Sequence, residues 1–183
     1  KARNLALRLA QGKYIAVLDS DDVWADSDKL KKQYTFLENN TDHVLVGGAV
    51  IVINENGQET GRYKNPAIDT AIRAGILLRN PFLHSSIMFR RDAAVSCGVY
   101  GESTGGEDYD LFLKMGQLGK LANTDDYLVK YRKHDLGITW AKRVRAAQDH
   151  LSVIAKYKNK YPNYFSALIK GYLRLILSWV LSL

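Results

Sequence analysis

Cysteine is almost missing from this chain. The 183 residues include a single one, Cys97, so no internal disulfide and no cysteine-based metal cluster can form, which fits a reducing compartment and a thiol buried for packing. Long apolar runs are also missing, and none reaches the roughly 20 residues that a membrane-spanning helix needs. There is no internal repeat and no low-complexity tract. Lysines and arginines are scattered, with no aromatic platform alternating between them, which argues against a nucleic-acid-binding module. No initiator Met or signal-peptide pattern opens the sequence. It starts on K-A-R-N-L-A-L-R-L-A, which reads as the middle or end of an amphipathic helix, so the protein's start is expected upstream.

What is present describes a folded domain. A composition 46% hydrophobic and 25% charged supports one proper core, and the net charge of +7 favours anionic partners such as nucleotides, nucleic acid or an acidic membrane face without choosing among them. The expected partition is a domain over residues 1–138 and a helical C-terminal extension over 139–183.

Read in order, Lys1 to Ala10 is a helix closed by Gly12, and Tyr14 to Leu18 is a short, fully buried strand. Asp28 to Asn39 is a helix, with Ser27 able to cap it, whose apolar face is Leu30, Tyr34 and Leu37; Lys29, Lys31 and Lys32 form a solvated face. Val44 to Ile53 reads as two strands or one bulged strand, followed by an Asn56-Gly57 hairpin turn. Asp69 to Leu78 is helical, and Ser85 to Phe89 reads as a strand. Four glycines between Cys97 and Gly106 make a loop, from which a helix starts at Asp108 and runs to Leu118. Leu128 to Tyr131 is a short strand. Trp140 to Tyr157 is a basic amphipathic helix, and a last helix follows Pro162.

Two groups of acids stand out. The first is D-S-D-D, where the strand ends. Ligands of open α/β sheets sit beyond the carboxyl ends of strands, and Asp19 and Asp21, two apart, are expected to share one face. Asp21 reads as a metal ligand and Asp19 as an acceptor for ribose hydroxyls, although Asp-rich turns are also common caps. The second is G-G-E-D-Y-D at the start of a helix, whose positive end keeps a carboxylate ionised and fit to act as a general base. Asp108 is the first choice for that base and Glu107 the second; ordinary helix capping is the plain alternative.

Four stretches, A-R-N-L-A-L-R-L-A-Q-G-K-Y-I-A-V-L-D-S-D-D-V-W, N-P-F-L-H-S-S-I-M-F-R-R, G-G-E-D-Y-D-L-F-L-K and L-V-K-Y-R-K-H, resemble family 2 glycosyltransferases of the GT-A fold, in family order across Lys1 to His134. The resemblance implies an α/β protein with a mixed, Rossmann-like sheet flanked by helices, lacking the family's N-terminal strand and nucleobase loop. It implies an inverting transferase that moves a sugar from a nucleotide-diphosphate donor, a UDP-sugar being expected, to a hydroxyl of a glycan or lipid-linked acceptor. Bacterial-type surface polysaccharide or lipopolysaccharide synthesis is the expected setting. Carried onto this sequence, D-S-D-D gives Asp19 to the donor and Asp21 to Mg²⁺ or Mn²⁺, with Asp22 as a donor-side auxiliary. The E-D pair puts the base at Asp108, and Y-R-x-H gives His134 to the metal or diphosphate. His84 and Ser85 fall on the acceptor side, and Arg132 meets a phosphate or an acid. A sugar nucleotidyltransferase and a non-catalytic basic module for anionic lipid or nucleic acid are the alternatives.

From Leu168 to Leu183 the polar set Lys170, Arg174, Ser178 and Ser182 makes one narrow stripe. The rest is apolar and needs cover from the core, a subunit or a membrane surface. Together these readings place the protein in the cytoplasm, with peripheral contact at the inner membrane face expected through residues 168–183.

Overall fold

The computed structural model describes residues 2–101, 105–134 and 140–180, with the side chains of residues 140–143 outside the description. Helix α1 (Ala2–Leu9) leads into strand β1 (Tyr14–Ala16), the acid turn follows, and β2 (Val23–Trp24) leads into α2 (Lys29–Asn39). Strands β3 (His43–Ile53) and β4 (Glu59–Tyr63) form the hairpin expected at Asn56-Gly57, and α3 (Asp69–Gly75) follows. A 3₁₀ turn over His84–Ser86 precedes β5 (Met88–Arg90), α4 (Arg91–Ser96), α5 (Glu107–Met115) and β6 (Lys120–Arg132). Helices α6 (Trp140–Ala155) and α7 (Tyr164–Val180) complete the chain order.

The sheet runs β1-β5-β3-β6-β2, with β4 beside the far end of β3. Among the described residues only β3 and β6 pair in parallel; the other pairs are antiparallel. Leu37 of α2 meets Val46, Met88 and Ala122 on one face. On the other, Leu45, Phe89 and Leu121 join a core built from Leu7, Ile72, Leu111, Phe112, Ile154 and Tyr157, so the C-terminal helices contribute to the same interior.

Several local expectations are corrected. Strand β1 is an edge strand and its residues are half-buried. Val44 to Ile53 lies in one strand whose pairing with β6 shifts register near Gly47, in agreement with the bulged-strand alternative, and the bare Gly47 and Gly48 sit where a Cβ would collide with Asn123 and Leu128. Strand β6 is much longer than Leu128 to Tyr131. Its Asp125-Asp126 pair bonds outward, to Lys64 and Lys32. Ser85 and Ser86 belong to the 3₁₀ turn rather than to a strand, and α4 was not anticipated.

Helix α2 is turned from its expected orientation. Lys29, Gln33 and Leu37 face inward, while Leu30 and Tyr34 are exposed, and Asp28, not Ser27, is the residue that precedes the helix. The Lys29 ammonium donates to Gln33 Oε1 at 2.7 Å and lies 4.7 Å from the centre of the Trp24 ring. A buried cation is tolerated when a π face and a carbonyl replace its water.

Candidate active site

The acid tetrad does not continue β1. The Asp22 N–H donates to the Asp19 carbonyl at 3.1 Å, closing a tight turn, so the three carboxylates point to three different partners instead of alternating along a strand. This corrects the expected shared face of Asp19 and Asp21.

Asp19 meets His84 Nδ1, with both oxygens at 3.2 Å, and the Arg3 guanidinium at 2.9 Å. The hydrogen bond from His84 holds the Asp19 carboxyl below the usual carboxylate range, helped by charge from His84 and Arg3 and opposed by partial burial. Asp22 is buried and moves the other way. Desolvation raises its affinity for a proton, while the Ser85 hydroxyl, donating at 2.5 Å, and the Arg132 N–H, donating at 3.0 Å, offset part of that. Ser85 Oγ also accepts from the Asp19 N–H at 3.0 Å, so one hydroxyl bridges the two ends of the turn.

His84 and Ser85, expected on the acceptor side, are therefore buried, at 5% and 0% exposure, and support the acids from beneath. His84 also lines the cavity along the free edge of β1. The Arg132 guanidinium donates to the backbone carbonyls of Asp21, Asn54 and Glu55, at 3.0, 3.1 and 2.9 Å. It braces the acid turn against the β3–β4 hairpin.

Asp21 and His134 stand at the mouth, both about half exposed, with Oδ2 and Nε2 3.2 Å apart. A carboxylate oxygen and an imidazole nitrogen are donors for Mg²⁺ or Mn²⁺, and about 3 Å is the spacing of two ligands sharing one such ion. Glu55 lies 3.6 Å from the other His134 nitrogen. Among the described residues no group of three His, Cys, Asp or Glu side chains converges on one ion position. The pair fits a cation that takes most of its ligands from elsewhere.

The second acid group begins α5. Gly106 precedes it with φ of +70°, the left-handed region that a glycine adopts without strain. Glu107 is engaged by Arg3 at 2.5 Å. The Asp108 carboxylate makes no hydrogen bond or ion pair with another described residue and adds its charge to the field at the Tyr100 phenol.

Three functional-site residues escaped the sequence reading. Arg3 spans Asp19 and Glu107, 16 and 104 positions away from it, and so ties the two acid groups together. Tyr100 bonds His84 Nε2 through its hydroxyl at 2.9 Å, and Asn4 clamps the Tyr100 backbone from both sides. The only signal was that Arg3 and Asn4 fall inside the A-R-N opening of the first motif. Arg3 and Tyr100, with Ala6, Leu7 and Val17, also border a cavity of about 430 Å³ along the free edge of β1.

A family model described as "Glycosyl transferase family 2" matches residues 1–99. The amylovoran biosynthesis glycosyltransferase AmsE of Erwinia amylovora is 35% identical over 134 residues, which is 72% of this chain and 49% of the relative. The O-antigen biosynthesis glycosyltransferase WbnJ of Escherichia coli is 32% identical over 137 residues, 73% of this chain and 53% of the relative. The chain thus spans about half the length of these curated relatives. Among solved structures, S. aureus TarS 1–349 superposes with a TM-score of 0.60 at 15% identity, covering 94% of this chain and 49% of that one. The mannosyltransferase PcManGT from Pyrobaculum calidifontis, solved with GDP-Man and Mn²⁺, gives 0.58 at 21% identity, covering 98% and 55%. These likenesses show the fold, a GT-A sheet flanked by helices. With the model matching more than half of its length, the chain belongs to glycosyl transferase family 2.

Proposed function

We propose that this chain carries the catalytic acids of a metal-dependent, inverting glycosyltransferase that uses a nucleotide-diphosphate sugar in bacterial-type surface polysaccharide synthesis. The observation that carries the reading is the convergence of four separated segments, the acid turn, the 3₁₀ turn, the start of α5 and the end of β6, on one mouth. Asp21 and His134 would hold Mg²⁺ or Mn²⁺, an ion that neutralises charge on the diphosphate leaving group. Asp19, kept ionised by His84 and Arg3, accepts hydrogen bonds from the ribose hydroxyls. Arg132 holds the acid turn in place.

Asp108 is the general base. It takes the proton of the acceptor hydroxyl as that oxygen bonds to the anomeric carbon. The bond from that carbon to the diphosphate breaks from the opposite face, and its electron pair leaves with the nucleotide. Glu107 is less suited, because Arg3 already occupies it. The relatives' roles in amylovoran and O-antigen biosynthesis support a glycan or lipid-linked acceptor. A UDP-sugar is the expected donor, and the GDP-Man of the archaeal neighbour makes GDP-sugars the necessary comparison.

Calorimetry with UDP- and GDP-sugars, with and without Mn²⁺, tests the donor side. Metal-dependent binding should vanish in Asp21→Ala and weaken in His134→Ala. Asp108→Asn should keep donor binding and lose about 10²- to 10⁴-fold in turnover; turnover at the unsubstituted rate would overturn the base assignment. Product stereochemistry read by NMR decides inversion.

A further inference from the structure

Helix α7 has two apolar faces, and only one is used. Ala167 and Gly171, four apart, are buried, and the Gly171 backbone approaches Leu151 of α6 so closely that a Cβ there would lie 2.5 Å from its side chain. On the opposite side Phe165, Ile169, Tyr172, Leu173, Ile176, Leu177 and Val180 recur three and four apart and are 55 to 70% exposed. Nothing among the described residues covers them. Lys170 and Arg174 stand between the packed and the free face, and α7 contains no acidic residue.

Charge is distributed to match. Residues 140–183 hold eight of the 26 lysines and arginines and one of the 19 acids, so the whole net charge of +7 resides there and residues 1–139 are electrically balanced. An exposed apolar helix face flanked by Lys170 and Arg174, in the segment of the sequence that carries the whole excess of positive charge, is complementary to a negatively charged lipid surface, where side chains enter the acyl boundary and basic groups meet headgroups. Nucleic acid would use the charge but not the isoleucines and leucines. No helix among the described residues is long and apolar enough to cross a membrane, so contact through α7 would be lateral.

We propose that α7 is an interfacial anchor, laying its Phe165–Val180 face on an anionic lipid bilayer. The anchor would bring the mouth described above to a membrane surface, where a lipid-linked acceptor is presented.

Vesicle co-sedimentation of the full chain tests this, using phosphatidylcholine alone and an equimolar mixture with phosphatidylglycerol. Expected is binding to the mixed vesicles, with little on phosphatidylcholine. Leu173→Ser with Ile176→Ser should abolish it, and Lys170→Gln with Arg174→Gln should weaken it about fivefold for each charge removed. These side chains lie outside the mouth, so donor binding measured on the same samples separates loss of the anchor from failure of the proposed chemistry. No binding to mixed vesicles, or equal binding to both, overturns the proposal. So does a dimer that Leu173→Ser with Ile176→Ser dissociates without any vesicle binding in the parent chain, since the face would then belong to a second copy.

Discussion

Ser85 is the residue on which the acid turn rests, because its one hydroxyl donates to Asp22 and accepts from the Asp19 N–H. Removing it leaves a buried carboxylate with the Arg132 N–H as its remaining hydrogen-bond donor. Ser85→Ala should therefore cost about 2 kcal/mol, read as a fall of roughly 4–8 °C in Tm. Lys29 presents the converse problem, a cation held without a carboxylate. Burial lowers its pKa to about 8 from an ordinary 10.5. Below pH 8 both folded and unfolded chains carry the proton, and the cost of the buried charge is constant. Between about 8 and 10.5 the unfolded chain keeps the proton that the folded one releases, so stability rises with pH, by up to about 3 kcal/mol. Denaturant titrations across that range should show this rise in the parent chain and its loss in Lys29→Met. Neither role was legible in the sequence, although Ser85 itself was picked out by the family resemblance. A lysine beside two others reads as solvated, and a serine pair before a strand reads as alternating, because burial comes from contacts with distant residues.

Helix starts and helix crossings set the positions of the functional groups. Gly106 in the left-handed region starts α5, so Gly106→Ala should cost about 1 kcal/mol. It should also displace Asp108, lowering turnover more than donor binding, which steady-state kinetics beside calorimetry would separate. At the other crossing, Gly171→Val would force α7 away from Leu151 and overpack the joint by about 1–3 kcal/mol, measurable by chemical denaturation. Helices announced themselves well at this scale. The Gly-Gly-Glu-Asp start, the Asn-Gly hairpin and both C-terminal helices followed from local chemistry alone. The inward face of α2 did not, because Leu30-Tyr34-Leu37 and Lys29-Gln33-Leu37 both satisfy helical spacing. The Trp24 ring, which accepts the lysine, decides between them. Asp125 and Asp126 hid β6 for a related reason, since their partners Lys64 and Lys32 come from other elements.

Over the whole molecule, motif order in the sequence revealed the family and the acids, while sheet order and the supporting contacts stayed hidden. Arg3, Tyr100 and Ser85 act through pairs 16 to 104 positions apart, as with Arg3 to Asp19 and Arg3 to Glu107. No local pattern encodes such distances. The parallel pairing of β3 with β6 also dictates an order of assembly. The β3–β4 hairpin and the helices close locally, on the scale of microseconds. Strand β6 must wait for the intervening chain, because Val50 pairs with Val129 and a loop that long is entropically slow to close. Arg132 and His134 lie at the end of β6 and just beyond it, so the site should be completed in the slowest folding phase. In stopped-flow refolding, metal-dependent donor binding should return with that phase and not with the earlier gain of helical signal. A chain interrupted before β6 would then hold both acid groups yet lack the means to grip a donor, so a ribosome-bound nascent chain would consume no sugar nucleotide.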